Sequence, residues 1–485
     1  MTMSAAFRLP ASLPRAGATR SEAERSCLVL AIRTRRLALA VTAMLLGAAP
    51  AFAETLQEAL RRAYVGNPTL NAGRAELRAT DENVPRALSG YRPTVTASAS
   101  AGVVRQDGIV GGERFRQTLL PRQVGIQVNQ NLFNGFRTAN ATRQAESGVL
   151  GGREVLRQTE QMTLFAAVQA YMNVLRDAAI LDLQRNNAEV LDVQLQQTRQ
   201  RHLAGEVTRT DVAQAESRLA AARSQISAAE ANLQASASEY RRVIGQEPRR
   251  LAPGRPPDHL LPRSLTAAVQ VALASHPSIA AALHAVDAAE LQVKIVEGEL
   301  APTLSIVGSV AQAYATEEKN DRAFSAAILG QLTVPLYQGG EVSARVRQAK
   351  ETAGQRRIEA EATRDTVRAG VVAAWGTLQA AKATILAAEA QVLSSEVALN
   401  GVREEARAGQ RTTLDVLNQQ QELLAARVNL VVAQRDRVVS SFAVAQAVGA
   451  LSATALGLRV APYRAADHYD QVRDLAWGLS VPDGR

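Results

Sequence analysis

The sequence is poor in cysteine and in clustered histidine, and each shortage excludes a class of function. Its only cysteine is Cys27, so residues 54–485 can form neither a disulfide nor a thiol centre. Its five histidines show no metal-ligand spacing, and no nucleophile motif or nucleotide-binding loop is present. We therefore expect no catalytic residue, no bound metal and no cofactor.

Aromatic residues are also scarce, and the positive charge is scattered. Only 4% of the 485 residues are aromatic although 47% are apolar, a bias that favours long helices packed through small side chains. The formal net charge is +9, but residues 1–53 account for +5 of it. The rest of the chain has no basic patch, so nucleic acid is not expected as a partner.

Residues 1–53 are predicted to be a secretory signal peptide. Three arginines precede the apolar run 37–49, and Ala51-Phe52-Ala53 supplies a small-x-small cleavage pattern. The alternative, a membrane anchor, is disfavoured because the run is too short to span a bilayer. No other stretch is expected to form a transmembrane helix, so the exported chain is either periplasmic or part of an outer-membrane β-barrel.

The remaining chain is predicted to be a tandem repeat. Two ungapped stretches of the first half recur in the second, the first at an offset of 209 residues and the second at an offset of 204. The matched segments are 55–70 with 264–279, and 131–145 with 335–349. This divides the chain into a first repeat (54–244), a Pro-rich linker (245–263), a second repeat (264–450) and a C-terminal tail (451–485).

Each copy is predicted to contain the same succession of elements: a short amphipathic helix, a second helix, two strands, a long helix and a return helix. In the first copy these are 55–66, 69–89, 94–105, 123–132, 138–204 and a helix ending near 244. In the second they are 264–275, 278–299, 303–316, 324–336, 342–408 and a helix ending near 448. The long helices contain no proline, and each would measure about 100 Å.

The predicted strands alternate in polarity, as membrane strands with a polar lumen do. Val124, Ile126, Val128 and Leu132 should point to one face, and the intervening polar residues to the other. A soluble sandwich is the alternative, but four strands are too few to make one. Four strands also cannot close a barrel, and open edges in a membrane cost several kcal/mol per unpaired group. The chain should therefore oligomerise.

Several motifs in this order resemble the TolC family of outer-membrane efflux proteins over residues 54–485. They are Asn67-Pro68, Arg92-Pro93, Leu132-Phe133-Asn134-Gly135, Ala170-Tyr171 and the run from Gly409 to Leu417. The tail, from Leu456-Gly457-Leu458 to Trp477, is similar to the branch that serves type I secretion. The resemblance implies a mainly α fold with a transmembrane β-barrel: a homotrimer with a 12-strand barrel in outer-membrane lipid and a 12-helix periplasmic tunnel.

The resemblance also implies partners. Such a duct docks to a periplasmic membrane-fusion (adaptor) protein and, through it, to an inner-membrane ABC or proton-driven transporter. Two other functions compete with the export duct. A soluble periplasmic coiled-coil adaptor would need one hairpin and no amphipathic strands, and a periplasmic enzyme would need a convergent acid, base or nucleophile set.

Candidate site residues lie where each long helix is predicted to turn back. Gly205 and Gly409 mark these turns, which become the periplasmic tips in the resemblance. Thr208-x-x-Asp211 and Thr412-x-x-Asp415 are capping-box patterns, so each carboxylate is expected at least to cap its helix.

The resemblance gives some of these residues a role at the pore entrance. It places Asp415 facing the pore axis and Asn418 where the family has a second acid. It matches Arg411 to a gate arginine that bonds toward the acid at Asp211, while Ala406 replaces a tyrosine of that gate. The alternatives are that both carboxylates only cap helices and that Arg411 is a solvated surface residue.

Overall fold

The computed structural model describes residues 53–482, so the predicted signal peptide lies, but for its last residue, outside the described chain. The first copy contains α1 (Leu56–Gly66), α2 (Pro68–Asp81), α3 (Asn83–Leu88), β1 (Thr94–Ala101), β2 (Val104–Val110), β3 (Glu113–Leu119), β4 (Arg122–Asn134), α4 (Arg137–Leu203) and α5 (Arg209–Ile244). The second contains α6 (Leu265–Ser275), α7 (Pro277–Glu297), β5 (Thr303–Tyr314), β6 (Arg322–Thr333), α8 (Glu341–Arg407) and α9 (Thr413–Ala447), and α10 (Ala465–Val472) follows. The mainly helical tandem repeat is confirmed.

The two long helices begin and end within one residue of their predicted limits. Each spans 67 residues, about 100 Å at the helical rise. Each begins after two residues with positive φ, which are Gly135 and Phe136 in the first copy and Gly339 and Gly340 in the second. The proline-free runs and the turn residues therefore predict the limits of these helices correctly.

The second helix of the first copy is broken, contrary to the continuous helix predicted for 69–89. Helix α2 ends at Asp81, and α3 contains Pro85. Because proline has no N–H, Pro85 cannot donate to the carbonyl of Asp81 four residues earlier, and its ring crowds that carbonyl. In the second copy, where no proline intervenes, α7 runs unbroken to Glu297.

The core of the first copy packs along one stripe of α4. Leu164, Val168 and Tyr171 are fully buried there, as their spacing by four and three predicts. The Tyr171 hydroxyl lies 2.7 Å from the carbonyl oxygen of Glu54 and 2.6 Å from that of Ala252. The linker is thereby held against the long helix.

Four strands form one antiparallel sheet in the order β1-β4-β5-β6, and its register repeats the duplication. In β1·β4, Thr94 faces Asn129, and Ala101 faces Arg122. Adding the two sequence offsets gives Thr303 facing Thr333 and Val310 facing Ala326, which are pairs observed in β5·β6. The two copies therefore share one strand register, and β1 and β6 remain as open edges of the sheet.

The sheet has an apolar face and a polar face, because opposed residues share a face and successive residues alternate. The apolar face includes Val95, Ala97, Ala99, Ala101, Val124, Ile126, Val128, Ile306, Val310, Phe324, Ile328 and Leu332. It also carries Gln130 and Gln312, and at one end Arg122, Tyr314 and Arg322. The polar face includes Thr94, Ser98, Ser100, Gln123, Gln127, Asn129, Ser305, Ser309 and Gln331. Leu132 was predicted on the apolar face with Val124, Ile126 and Val128. A bulge shifts the register there, so that Phe133 rather than Leu132 lies opposite Leu304.

A hairpin of β2 and β3 was not expected from the sequence. The alternation of 94–105 predicts one strand, but β1 ends at Ala101, and β2 and β3 form a separate two-stranded sheet. Asp107 holds it by ion pairs to Arg114 (3.2 Å) and Arg116 (2.9 Å) across the two strands. The second copy has only a short loop at this place.

We expected no transmembrane helix outside the predicted signal peptide. By the criteria of length and composition, this expectation is wrong. Three helical segments, Arg137–Leu203, Leu265–Leu300 and Glu341–Arg407, each contain a stretch apolar enough to cross a membrane. Each of these segments packs against other helices of the same chain.

The C-terminal tail folds back on the first copy. Nδ1 of His468 in α10 lies 3.0 Å from Oδ2 of Asp81, whose side chain is fully buried. Burial raises the pKa of Asp81 above its usual range, against the opposing effect of His468. Farther along, Arg92 donates to the carbonyl of Leu475 at 2.8 Å. The tail thus fastens α2 and the start of β1 together.

Candidate functional site at the helix tips

Glycine ends each long helix, as the sequence predicts. Gly205 and Gly409 adopt φ of +80° and +78°. The N–H of Gly205 donates to the carbonyl oxygen of His202, and the N–H of Glu206 donates to the carbonyl oxygen of Arg201, both at 2.9 Å. Gly409 and Gln410 repeat these bonds in the second copy. Both tips are therefore Schellman turns, in which a left-handed residue reverses the chain.

Each return helix begins with a complete capping box. Asp211 Oδ2 accepts the N–H of Thr208 at 2.8 Å, and Thr208 Oγ1 accepts the N–H of Asp211 at 3.3 Å. Thr412 and Asp415 form the same two bonds at 2.9 and 3.2 Å. Hydrogen bonds from the threonines hold the pKa of both carboxyls below the usual range. The capping role of both acids is thus present, and both acids are ionised at neutral pH.

Arg411 is bound to a residue of its own hairpin. Its Nε donates to Glu405 Oε2 at 2.8 Å, and both side chains are about half exposed. Within the described part of one chain, no hydrogen bond or ion pair joins Arg411 to Asp211. Ala406 is partly buried against Leu399, Val416 and Leu423, so it serves the packing of the second hairpin.

Asn418 joins the two hairpins through a residue that the sequence analysis missed. Its Oδ1 accepts a hydrogen bond from Arg218 Nη2 at 2.8 Å, which links α9 to α5. One residue earlier, Leu417 is buried against Leu191 and Leu219 of the first hairpin. Nothing in the local sequence marks Arg218, because its partner lies 200 residues away.

A groove separates the first hairpin from the second just before the tips. It measures about 700 Å³, and Val190, Gln194, Arg403 and Val416 lie along it. Val193, also in the groove, is 53% exposed. Among residues 53–482, no cluster of histidine, cysteine or carboxylate side chains is arranged to hold a metal ion.

Comparison with known proteins identifies the family to which this architecture belongs. Residues 59–246 and 268–450 match the family described as outer membrane efflux protein. The chain is 41% identical over 437 residues to outer membrane efflux protein BepC of Brucella suis biovar 1, covering 90% of this chain and 94% of BepC. It is 28% identical to alkaline protease secretion protein AprF of Pseudomonas aeruginosa, covering 64% and 66%.

A solved structure shows the same fold. The Campylobacter jejuni CmeC outer membrane channel superimposes with a TM-score of 0.74 at 15% identity, over 86% of this chain and 89% of that one. The family is one of efflux proteins rather than of enzymes, and its members reside in the outer membrane and extend into the periplasm. With both repeats matched, the chain belongs to the outer membrane efflux protein family, which the motifs had indicated as the TolC family.

Proposed function

We propose that three copies of this chain form one closed export duct, with a 12-strand barrel in the outer membrane and a helical tunnel in the periplasm. The observation that carries the proposal is the four-stranded sheet with an apolar face, a polar face and two open edges. In a membrane each open edge needs a partner strand. The apolar face suits lipid and the polar face suits an aqueous lumen.

The repeat supplies the register of the missing contact. Strand β4 of the first copy pairs with β5 of the second, with Gln127 opposite Ser309. When the two offsets between the repeats are applied to this strand pair, β6 corresponds to β4, and β1 of a neighbouring chain corresponds to β5. Gln331 should then face Ser100 of the neighbour.

The long helices support the same arrangement. Helix α4 packs on α7 and α9 of the second copy, whereas α8 has no comparable contact with α2 or α5 of the first. As a result Val168 on α4 is fully buried, while its counterpart Val372 on α8 is 47% exposed. The first copy of a neighbouring chain would cover α8 as the second copy covers α4.

A cysteine pair tests the trimer and its register together. Ser100→Cys with Gln331→Cys should form disulfides between chains, because the two side chains face each other across the proposed strand pair. Competing disulfides are few, since the only natural cysteine is Cys27 in the predicted signal peptide. Oxidised membranes should give a covalent trimer on denaturing gels, and reductant should return it to monomer. The matched control is Ser100→Cys with Leu332→Cys, since a shift of one residue places the second thiol on the opposite face. Equal cross-linking of the control, or none in either pair, would contradict the proposal.

The partners proposed for the duct are an adaptor at the tips and an inner-membrane transporter, either ABC or proton-driven. The groove around Val193 offers a partly apolar surface for the adaptor. The similarity to AprF, a protease secretion protein, favours type I secretion, while the similarity to BepC, an outer membrane efflux protein, favours an efflux system. The cross-linked trimer purified from its host should carry an adaptor, and the transporter bound to that adaptor decides between the two.

We also propose that Arg411 and Asp211 hold the tips closed across neighbouring hairpins. Each makes its present contact inside its own hairpin, with Glu405 or Thr208, and both side chains are exposed enough to reach a second partner. Arg411→Ser combined with Asp211→Asn should raise single-channel conductance in planar bilayers. The asparagine keeps an acceptor for the cap, so the change reports the lost charge. Unchanged conductance would leave Asp211 as a cap and Arg411 as a surface residue.

A further inference from the structure

We propose that Arg122 and Arg322, on either side of Tyr314, bind the phosphate groups of a lipid in the outer leaflet. The three residues lie opposite one another at one end of β4, β5 and β6. Since opposed residues share a face, all three belong to the apolar face. This inference concerns the outside of the barrel and goes beyond the proposed export function.

The path of the chain gives the position in the membrane of the row formed by Arg122, Tyr314 and Arg322. The helices join the sheet at Thr94, Asn134, Thr303 and Thr333, so that end faces the periplasm. The row lies at the opposite end and therefore at the outer surface. Tyrosine is enriched at this level, where its ring contacts acyl chains and its hydroxyl meets the headgroups.

Neither arginine is paired within the part of the chain that the structure describes. Arg122 and Arg322 are exposed, and neither side chain makes an ion pair or hydrogen bond with residues 53–482. In contrast, Arg114 and Arg116 of the neighbouring hairpin share the carboxylate of Asp107. An unpaired guanidinium on a lipid-facing surface is tolerated near the interface, and it is stabilised if an anionic headgroup supplies the missing charge.

The surface below the row suits a lipid tail. A groove of about 640 Å³ lies beside Arg122 and Tyr314, which line it together with Ala99, Ala101 and Val124 of the apolar face and with Ser100 and Gln123. The small alanine side chains leave room for an acyl chain against the sheet. Adjacent strands are about 4.8 Å apart, so the two arginines flank Tyr314 at a separation that one phosphorylated headgroup can bridge. The combination of two cations with a groove lined largely by small apolar side chains fits a phosphorylated lipid.

Lipid titration of the purified trimer in detergent tests the proposal. Diphosphoryl lipid A is added, and binding is followed by native mass spectrometry. Arg122→Gln with Arg322→Gln should raise the apparent Kd at least about tenfold, because two charge-assisted contacts are lost. Arg249→Gln with Arg250→Gln removes the same charge from the exposed linker and should bind as the wild type does. Equal affinity of the two double variants would overturn the proposal.

Two further measurements separate this site from other anion binding. Dephosphorylated lipid A should bind the wild type no more tightly than it binds the Arg122→Gln/Arg322→Gln variant, and a clear preference would overturn the role of phosphate. Inorganic phosphate should not displace the lipid, since displacement would indicate a free-anion site. If the glutamine variant fails to form trimers, Arg122→Lys with Arg322→Lys retains the charge and should bind more weakly than the wild type but still prefer the phosphorylated lipid.

Discussion

Replacing Asp415 by asparagine is expected to abolish block of the channel by a trivalent cation applied from the periplasmic side. The resemblance to the TolC family implies that three Asp415 carboxylates face the axis of the proposed trimer, and such rings concentrate cations in a narrow pore. Hydrogen bonds from Thr412, with a smaller effect of Arg411, hold the pKa of Asp415 in the single chain below its usual range, which favours an ionised ring at neutral pH. The measurement is conductance in planar bilayers with hexaamminecobalt.

Asparagine separates the charge of this residue from its capping role. Its side-chain oxygen can still accept the N–H of Thr412, as Asp415 does at 2.9 Å. Asp415→Asn should therefore remove block without opening the tip, whereas Asp415→Ala also removes the cap. If block persists in the asparagine variant, the cation site lies elsewhere, and Asp415 only caps its helix.

The structure changes what is expected of a second acidic ring at Asn418. Because Arg218 donates to Asn418, a carboxylate placed there would be neutralised by that guanidinium. Asn418→Asp alone should strengthen cation block little. Adding Arg218→Gln should release the new charge and strengthen block clearly. Strong block from Asn418→Asp alone would show that Arg218 turns away in the trimer.

Gly135→Ala is expected to prevent most of the protein from forming a stable trimer. A Cβ at this position would lie against the carbonyl oxygen of Gly298 and 2.7 Å from the Ala301 Cβ, and backbone atoms cannot yield. Left-handed φ adds about 1–2 kcal/mol of strain for alanine, and overpacking adds about 1–3 kcal/mol more. Trimer yield and melting temperature in detergent measure the loss.

The repeat provides the matched control for this substitution. Gly339 is the counterpart of Gly135 and has a similar φ of +64°, but a Cβ there meets nothing within 4 Å in the chain. Gly339→Ala should therefore cost only the backbone strain. Gly298→Ala should be nearly as harmful as Gly135→Ala, since its Cβ would meet the Gly135 carbonyl. Equal losses from Gly135→Ala and Gly339→Ala, with little loss from Gly298→Ala at its ordinary φ of −62°, would mean that strain, not close approach, sets the requirement.

Local signals in the sequence predict most of the fold. The two proline-free runs, the glycines at 205 and 409 and the capping boxes place the long hairpins to within about one residue. Offsets between the copies predict the repeat, and the sheet register confirms it. These features depend on residues close in sequence or on comparison of one half with the other.

The misses have two origins: contacts between segments that are distant in sequence, and local turn signals that the polarity pattern obscured. The bulge near Leu132 depends on the partner strand, so the alternation within β4 cannot reveal it. The hairpin β2–β3 continues the polar alternation of β1, which hides the break at Gly102. The bond from Arg218 to Asn418 joins two hairpins that are remote in sequence. The bulge and the bond from Arg218 to Asn418 are tertiary and leave no local pattern. The hairpin, in contrast, carries a turn signal in Gly111-Gly112, both with positive φ, and the broken helix carries one in Pro85.

The strand order β1-β4-β5-β6 has a kinetic consequence. Strand β4 finds its partner β5 only after the whole first helical hairpin and the linker have been made. The helical hairpins rest on near contacts and should fold first, since contacts between distant residues form slowly. The sheet is then completed late, and its outer edges are completed only when chains meet. During that interval the edge strands are prone to pair wrongly, so the exported chain should depend on chaperones that cover unpaired strands until the membrane receives them.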